Sequence, residues 1–491
     1  MGKEERLWPT ALCSFVAAIP ALMIGYTFAF PSSAILDLTT ESAGLPENYR
    51  FSIALADIFA ALAPIGALVG APLSGVMSDR WGRKEALVCC GIPYLIGYLF
   101  LTYAHYMPTA LGFQALASTG RFMTGVGMGW AGSCGPVYIG EISSPKLRGL
   151  FGTFTQIAIA TGIVLNYGIS SIPKITYFHS SLVAVGIVAV FECLVVWLKE
   201  SPSWLIHHGQ HQKAVKVLQW LRGPSVKVEQ EVERIQEAES LSLWLAMKEM
   251  STKRHIAIPI VLVMLSMFFH QIGGAHVLST YAALLFESAG VAEPELTALV
   301  AVGGVELVAT FLTILVIDFV GRKFLLVLSS IGMVVGSAML GAHYFITRPS
   351  TCDSVGSNNS TGDFLLQARS GDMFENCINT QFAPLAISSA VLFAVAYSIG
   401  WGPVPWVLLS ELIPVRVRGA ASGIATLVNW GSAALVIGVY LEYSEAVRDW
   451  FAWWTFAFLN TIAAVFAIVF IHETKGKTLE DIEIYYQEHW C

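Results

Sequence analysis

Runs of about twenty apolar residues, the length that crosses a bilayer core of roughly 30 Å, recur along this chain with short polar segments between them. Twelve such runs stand at about 10–36, 51–77, 86–104, 109–140, 149–170, 180–198, 256–287, 296–317, 325–346, 383–409, 419–441 and 449–471. Several contain Gly and Pro, which spans tolerate because neighbouring helices satisfy the freed backbone groups. The pattern predicts an all-α membrane protein with twelve transmembrane helices. The first run starts too late and extends too far for a cleaved signal peptide, and no small-residue cleavage site follows it.

Composition agrees with that pattern and narrows the function. Of 491 residues, 55% are hydrophobic and only 13% are charged, about half the charged share of an ordinary soluble domain. This excludes a soluble enzyme, a nucleic-acid binder and a disordered scaffold. Eight Cys in such a length make no disulfide framework. The net charge of −7 matters less than where the cations sit. With both termini cytoplasmic, the cytoplasmic segments hold 22 of the 28 Lys and Arg, and every short loop obeys the positive-inside bias. Arg121 lies within the fourth span.

Two connections are long. Residues 199–255 place Glu229, Glu233, Arg234 and Glu237 in helical phasing, which predicts short amphipathic helices lying under the membrane. The expected organisation is a six-helix bundle over 1–198, a cytoplasmic linker over 199–255, a second six-helix bundle over 256–472 and a cytoplasmic tail over 473–491. Residues 347–382 are external, with overlapping glycosylation sequons at Asn358 and Asn359. Cys352 and Cys377 flank them; a disulfide in an oxidising compartment and two free thiols both remain open.

The halves repeat. Asp79-Arg-Trp-Gly-Arg-Lys84 after span 2 matches Asp318-Phe-Val-Gly-Arg-Lys323 after span 8. Glu141 precedes Arg148-Gly149 as Glu411 precedes Arg418-Gly419, and Glu200-Ser-Pro-Ser-Trp204 corresponds to Glu473-Thr-Lys-Gly476. Six-span halves related in this way predict two pseudo-symmetric bundles. Together with Gly120-Arg121, Pro136-Val-Tyr-Ile-Gly-Glu141, Gly402-Pro-Val-Pro-Trp406 and Asn429-Trp430, these motifs make the chain resemble the sugar porter family of the major facilitator superfamily. The likeness covers nearly the whole chain. A short first external loop and a large sequon-bearing loop before span 10 look like the branch of animal facilitative glucose and trehalose transporters.

The resemblance implies roles residue by residue. Asp79, Arg83, Glu141, Arg148, Glu200, Asp318, Arg322, Glu411, Arg418 and Glu473 would form Arg–carboxylate networks that latch the cytoplasmic side and break for the inward-open state. Arg offers a bidentate fork for such networks. A sugar site needs amide-type donors and acceptors beside an aromatic platform, near the midplane between the halves. Gln156, Gln271, Trp406 and Trp430 match sugar-contacting positions of the family, and Tyr281 matches an aromatic of its outer gate. Where the family has Gln-Gln-x-x-Gly-x-Asn, this chain reads His270-Gln271-Ile-Gly-Gly274-Ala-His276. Glu306 stands where the family often has an asparagine, and a carboxylate inside a span is functional by default. A cluster of His270, His276 and Glu306 facing the cavity is expected; Glu306 bonded only within the bundle is the alternative.

Proton-driven members carry an acid after Gly-Tyr in span 1, near the span 4 arginine. Here Gly25-Tyr26 is followed by Thr27, and a hydroxyl does not exchange protons near neutral pH. The expectation is therefore a uniporter of a hexose or related sugar. A proton-coupled carrier, or one for a non-hexose substrate, remains the alternative, using His270, His276 and Glu306. No nucleophile–base set, metal-ligand spacing or phosphate loop is present, so no enzyme, cofactor or metal is expected. The expected partners are a small-molecule sugar and the lipid bilayer, with neither nucleic acid nor an obligate protein partner. Tails of about 9 and 20 residues are short for a signalling sensor. The plasma membrane is the default location, an endomembrane the alternative.

Overall fold

The computed structural model describes residues 7–39, 46–144, 148–223, 228–237, 243–347, 380–414, 417–477 and 479–490. Among these residues the chain is helical and contains no strand. The first half comprises spans 1 (Leu7–Thr39), 2 (Ile53–Trp81), 3 (Arg83–Ala104), 4 (Ala110–Ile142), 5 (Arg148–Ser170) and 6 (Tyr177–Val195). In the second half, spans 9 (Arg322–Ile346) and 12 (Asp449–Phe470) are continuous. Span 7 runs as Arg254–Ile272 and Ala275–Ser288, span 8 as Pro294–Val320, span 10 as Ala383–Ile399 and Val404–Leu412, and span 11 as Arg418–Gly438 continued by Tyr440–Val447. Ten of these, among the described residues, are long and apolar enough to cross a membrane. Spans 4 and 5, of 33 and 23 residues, complete the twelve.

Span 4 owes its lower hydropathy to small residues that allow close packing, the usual device where lipid removes the hydrophobic drive between helices. A Cβ added at Gly125 or Gly129 would strike the backbone of Ala63 or Ala67, and one added at Gly66 or Gly70 would strike that of Phe122 or Val126. Spans 2 and 4 therefore lie backbone to backbone, in a parallel register that pairs residue 63 with 125 and 67 with 129.

The breaks in the second half follow from local chemistry. Gly274 adopts φ +92°, and a side chain there would strike the Phe456 ring. Gly400, Gly402 and Pro403 interrupt span 10, since Pro removes a ladder donor. In span 8 a π-helical turn, Leu299–Gly304, precedes Glu306; such turns mark functional positions in many helices. The sequence pattern predicted each of these spans as one uninterrupted run. Apolar periodicity alone does not register a local change of hydrogen-bond ladder.

The linker forms four short helices, Pro202–His207, His211–Arg222, Glu229–Glu237 and Leu243–Thr252. It is strapped to the first half. Arg222, nearly fully buried, pairs with Glu231 at 2.7 Å and donates to the Ile142 carbonyl at the end of span 4 at 2.9 Å. After span 12, helix Leu479–Trp490 buries Ile482 and Tyr486, against spans 7 and 10.

Candidate functional site

Two copies of one clasp occupy the end of the bundle that carries the charged loops. In the first half, Arg83 at the start of span 3 donates to Glu141 of span 4 at 3.1 Å and to Asp79 at 2.7 Å. Glu200 accepts the backbone N–H groups of Arg83 and Lys84 at 2.9 and 3.2 Å, so a carboxylate caps the N-terminus of span 3. The Ser201 hydroxyl donates to Glu141. In the second half Arg322 meets Glu411 at 2.8 Å, Glu473 accepts from the Arg322 and Lys323 amides at 3.0 and 3.1 Å, and Thr474 donates to Glu411 at 2.6 Å. Burial pushes the Glu200 carboxyl above the usual carboxylate range, against the pull of the Ser201, Lys84 and Arg83 amides.

Gly82 and Gly321 open the same space in each copy. Their backbones lie at φ +117° and +105°, and a Cβ would run into the carboxylate of Glu200 or Glu473. These clasps tie spans within one half: the hydrogen bonds and ion pairs described for them all join residues of the same half. The side chains of Arg148, Asp318 and Arg418 lie outside the described residues, as do Asn358, Asn359, Cys352 and Cys377.

The central residues come together between the halves. His270, at the end of the first helix of span 7, bonds through Nδ1 to the Trp401 carbonyl at 2.6 Å and lies 3.4 Å through Nε2 from the Tyr397 hydroxyl. Its ring centre is 5.5 Å from that of His276 and 6.2 Å from that of Trp406. Phe28 of span 1 stacks on His276 at 4.4 Å and on Trp430 at 5.9 Å, so an aromatic layer passes from one half to the other. Gln271 donates to Asn429 at 3.0 Å. Gln271 Oε1 and Trp430 Nε1 are buried without a hydrogen-bond partner. Gln156 is half-buried on span 5, and no described hydrogen bond joins it to this group.

Glu306 is only 6% exposed. Its electrostatic neighbours are Tyr167 and Tyr397, and neither histidine reaches it with a hydrogen bond. The expected cluster therefore takes a different form: Tyr397 stands between Glu306 and the His270–His276 pair, and the carboxylate has no ion pair with either ring. The Nδ1 contact to a carbonyl places a proton on that nitrogen and leaves Nε2 facing the Tyr397 hydroxyl, an arrangement that suits a neutral imidazole.

At the opposite end, hydrogen bonds do cross between halves. The Tyr167 hydroxyl donates to the Ser279 carbonyl at 2.5 Å, and the Ala283 N–H to Ser32 at 2.9 Å. Tyr281 is non-helical, with φ −115° and ψ 17°, which frees that amide. The Tyr281 hydroxyl reaches Asp57 at 2.8 Å and the Ile437 carbonyl at 3.0 Å. Asp57 also accepts from the Leu441 and Glu442 amides at 3.2 and 2.9 Å. Arg121 is buried on span 4 between the rings of Phe30 and Phe59, 5.9 and 5.7 Å from their centres. Thr27 of span 1 bonds the Tyr98 hydroxyl at 2.9 Å.

Asp57, Phe28, Tyr397, Tyr167, Ser201 and Thr474 are missing from the sequence reading. Three of these had signals. Asp57 is an acid inside a span, which the rule applied to Glu306 flags equally, and Ser201 and Thr474 directly follow the matched Glu200 and Glu473. The aromatic residues had none, since most aromatics in spans only pack.

A family model described as sugar (and other) transporter matches residues 13–486. The solute carrier family 2, facilitated glucose transporter member 8 of Mus musculus is 32% identical, over 97% of this chain and 94% of that protein. The facilitated trehalose transporter Tret1 of Apis mellifera ligustica is 27% identical over 96% of this chain and 87% of the relative. Among solved structures, a partially occluded inward-open conformation of the E. coli xylose transporter XylE aligns with a TM-score of 0.75 at 23% identity, covering 96% of this chain and 99% of that one. The last likeness concerns the fold.

Proposed function

Because the chain belongs to the sugar transporter family, we propose that it is a facilitative carrier moving a hexose or related sugar down its gradient by alternating access. The observation that carries this reading is the pair of unmet polar atoms between the halves, Gln271 Oε1 and Trp430 Nε1. One is an acceptor and the other a donor, both buried, and buried polar groups without partners are rare. A sugar hydroxyl both donates and accepts, and its ring has an apolar face for Trp406, Trp430 and Phe28. Gln156, His270 and His276 belong to the same pocket in this reading. The charged end faces the cytoplasm with both termini, in the plasma membrane, and the chain divides as 1–198, 199–255, 256–472 and 473–491. The paired clasps steady that end of each bundle during rocking.

Uniport is favoured because Arg121 has no acid beside it on span 1, where Thr27 bonds Tyr98 instead. Uptake of labelled sugars into proteoliposomes, with and without an imposed pH gradient, tests both parts: equilibration of a hexose without accumulation is expected. Accumulation driven by the gradient overturns uniport, and no flux of any hexose overturns the substrate. The second reading, a proton-coupled or non-hexose carrier, draws on Glu306, a buried carboxylate without an ion pair beside Tyr397 and the histidines. In Glu306→Gln, unchanged hexose flux would remove this carboxylate from the sugar site.

A further inference from the structure

The two most deeply buried charges described in the first half, Asp57 and Arg121, are each 1% exposed, and they are not paired with one another. Asp57 lies on the second turn of span 2. Its hydrogen-bond donors all stand on the other half: the Tyr281 hydroxyl and the Leu441 and Glu442 amides, which open helix Tyr440–Val447. A carboxylate at a helix N-terminus, fed by two amides and a phenol, is well satisfied. When the halves part at this end, those donors leave together. A buried charge stripped of its partners is strongly destabilising, so the open state needs a substitute.

The first half contains one. Arg121 on span 4 leaves Nε and Nη1 without an acceptor and packs against the faces of Phe30 and Phe59. The register that sets Ala63 against Gly125 and Ala67 against Gly129 sets residue 59 level with Arg121. Asp57 is then about 3 Å farther along the axis, at the helical rise per residue. Tyr281 occupies the gap: its hydroxyl holds Asp57, and it is an electrostatic neighbour of Arg121. Span 1 supplies no acid there, since Thr27 is engaged with Tyr98. Of the other ionisable groups beside Asp57, Glu442 and Tyr281 both stand on the second half and depart with it.

We propose that Asp57 has two alternating sets of partners: Tyr281 and the Tyr440–Val447 helix while this end is closed, and Arg121 once it opens. Withdrawal of Tyr281 clears the path between the two charges. Each end state then offers the carboxylate a counterpart, so neither becomes a trap, and both residues set the balance between them. This rests on the two-sided reading of the bundle given above, but its test reads gate opening and is independent of any sugar.

The test is amide hydrogen exchange of the full chain in lipid nanodiscs, read in segments 275–288 and 440–447, where exchange reports local opening. Asp57→Ala removes three donors' bonds from the closed state against one partner in the open state, so it should accelerate exchange there about tenfold or more, a net loss on the order of one charge-assisted hydrogen bond. Tyr281→Phe, which keeps the helix amides on Asp57, should accelerate it less. Arg121→Gln, which removes only the open-state partner, should slow exchange, and the slowing should vanish in the Asp57→Ala, Arg121→Gln double variant. Unchanged exchange in Asp57→Ala overturns the proposal. So does slowing by Arg121→Gln that persists without Asp57, or acceleration by Arg121→Gln. If Asp57→Ala does not yield folded protein, Asp57→Asn keeps an acceptor oxygen and is judged by the same outcomes.

Discussion

The central side chains divide into those that satisfy each other and those that leave an atom for something else. Gln271 uses its amide nitrogen on Asn429 and keeps its oxygen unmet. Gln271→Ala should therefore weaken sugar affinity about tenfold, as expected when one hydrogen bond to a ligand is lost, with little change in maximal flux; concentration-dependent uptake reads this. His270 differs, since both ring nitrogens already have protein partners. His270→Gln should disturb the position of the span 10 break at Trp401 and lower thermal stability more than a surface exchange does. Gln271 was marked by its match to the sugar porter pattern, and His270, His276 and Glu306 by their departure from it. The sequence could not mark Phe28, whose role comes from stacking across to another span.

Among elements, the charged-end clasp shows how much repetition can reveal. The repeated motifs and the resemblance put Arg83 and Glu141 in one expected network and Arg322 and Glu411 in another, and a contact is made in each half. The part invisible to pattern was the capping of spans 3 and 9 by Glu200 and Glu473, because a loop carboxylate's target depends on where the chain returns. Gly82 and Gly321 adopt a backbone region that is essentially reserved for glycine. Gly82→Ala and Gly321→Ala should each cost about 1–3 kcal/mol, with similar falls in melting temperature by scanning fluorimetry. A harmless Gly321→Ala beside a damaging Gly82→Ala would break the equivalence of the two clasps. The broken helices of spans 7 and 10 were equally hidden, although Gly274 and Pro403 were present to suggest them.

For the molecule as a whole, each clasp is confined to its own half while the described hydrogen bonds between halves gather at the other end. Conservative losses in the two clasps should then add. Arg83→Lys, Arg322→Lys and the double variant should lower thermal stability additively to within about 0.5 kcal/mol, as independent sites do. A large departure would mean that the two clasps communicate. The twelve-span plan was legible because span length is set by the bilayer and not by tertiary detail. The closure at one end was not, since it depends on how two bundles tilt.

The strap from Arg222 to Ile142 and Glu231 has one more consequence. It fastens the connecting segment to the first bundle as far as residue 237, so the covalent tie between bundles reduces to the few residues before Leu243–Thr252. A chain severed at 238–242 would leave each fragment with its own capped helices and its own share of the gate. Two such polypeptides, made together in one cell, should find each other and operate as a split carrier.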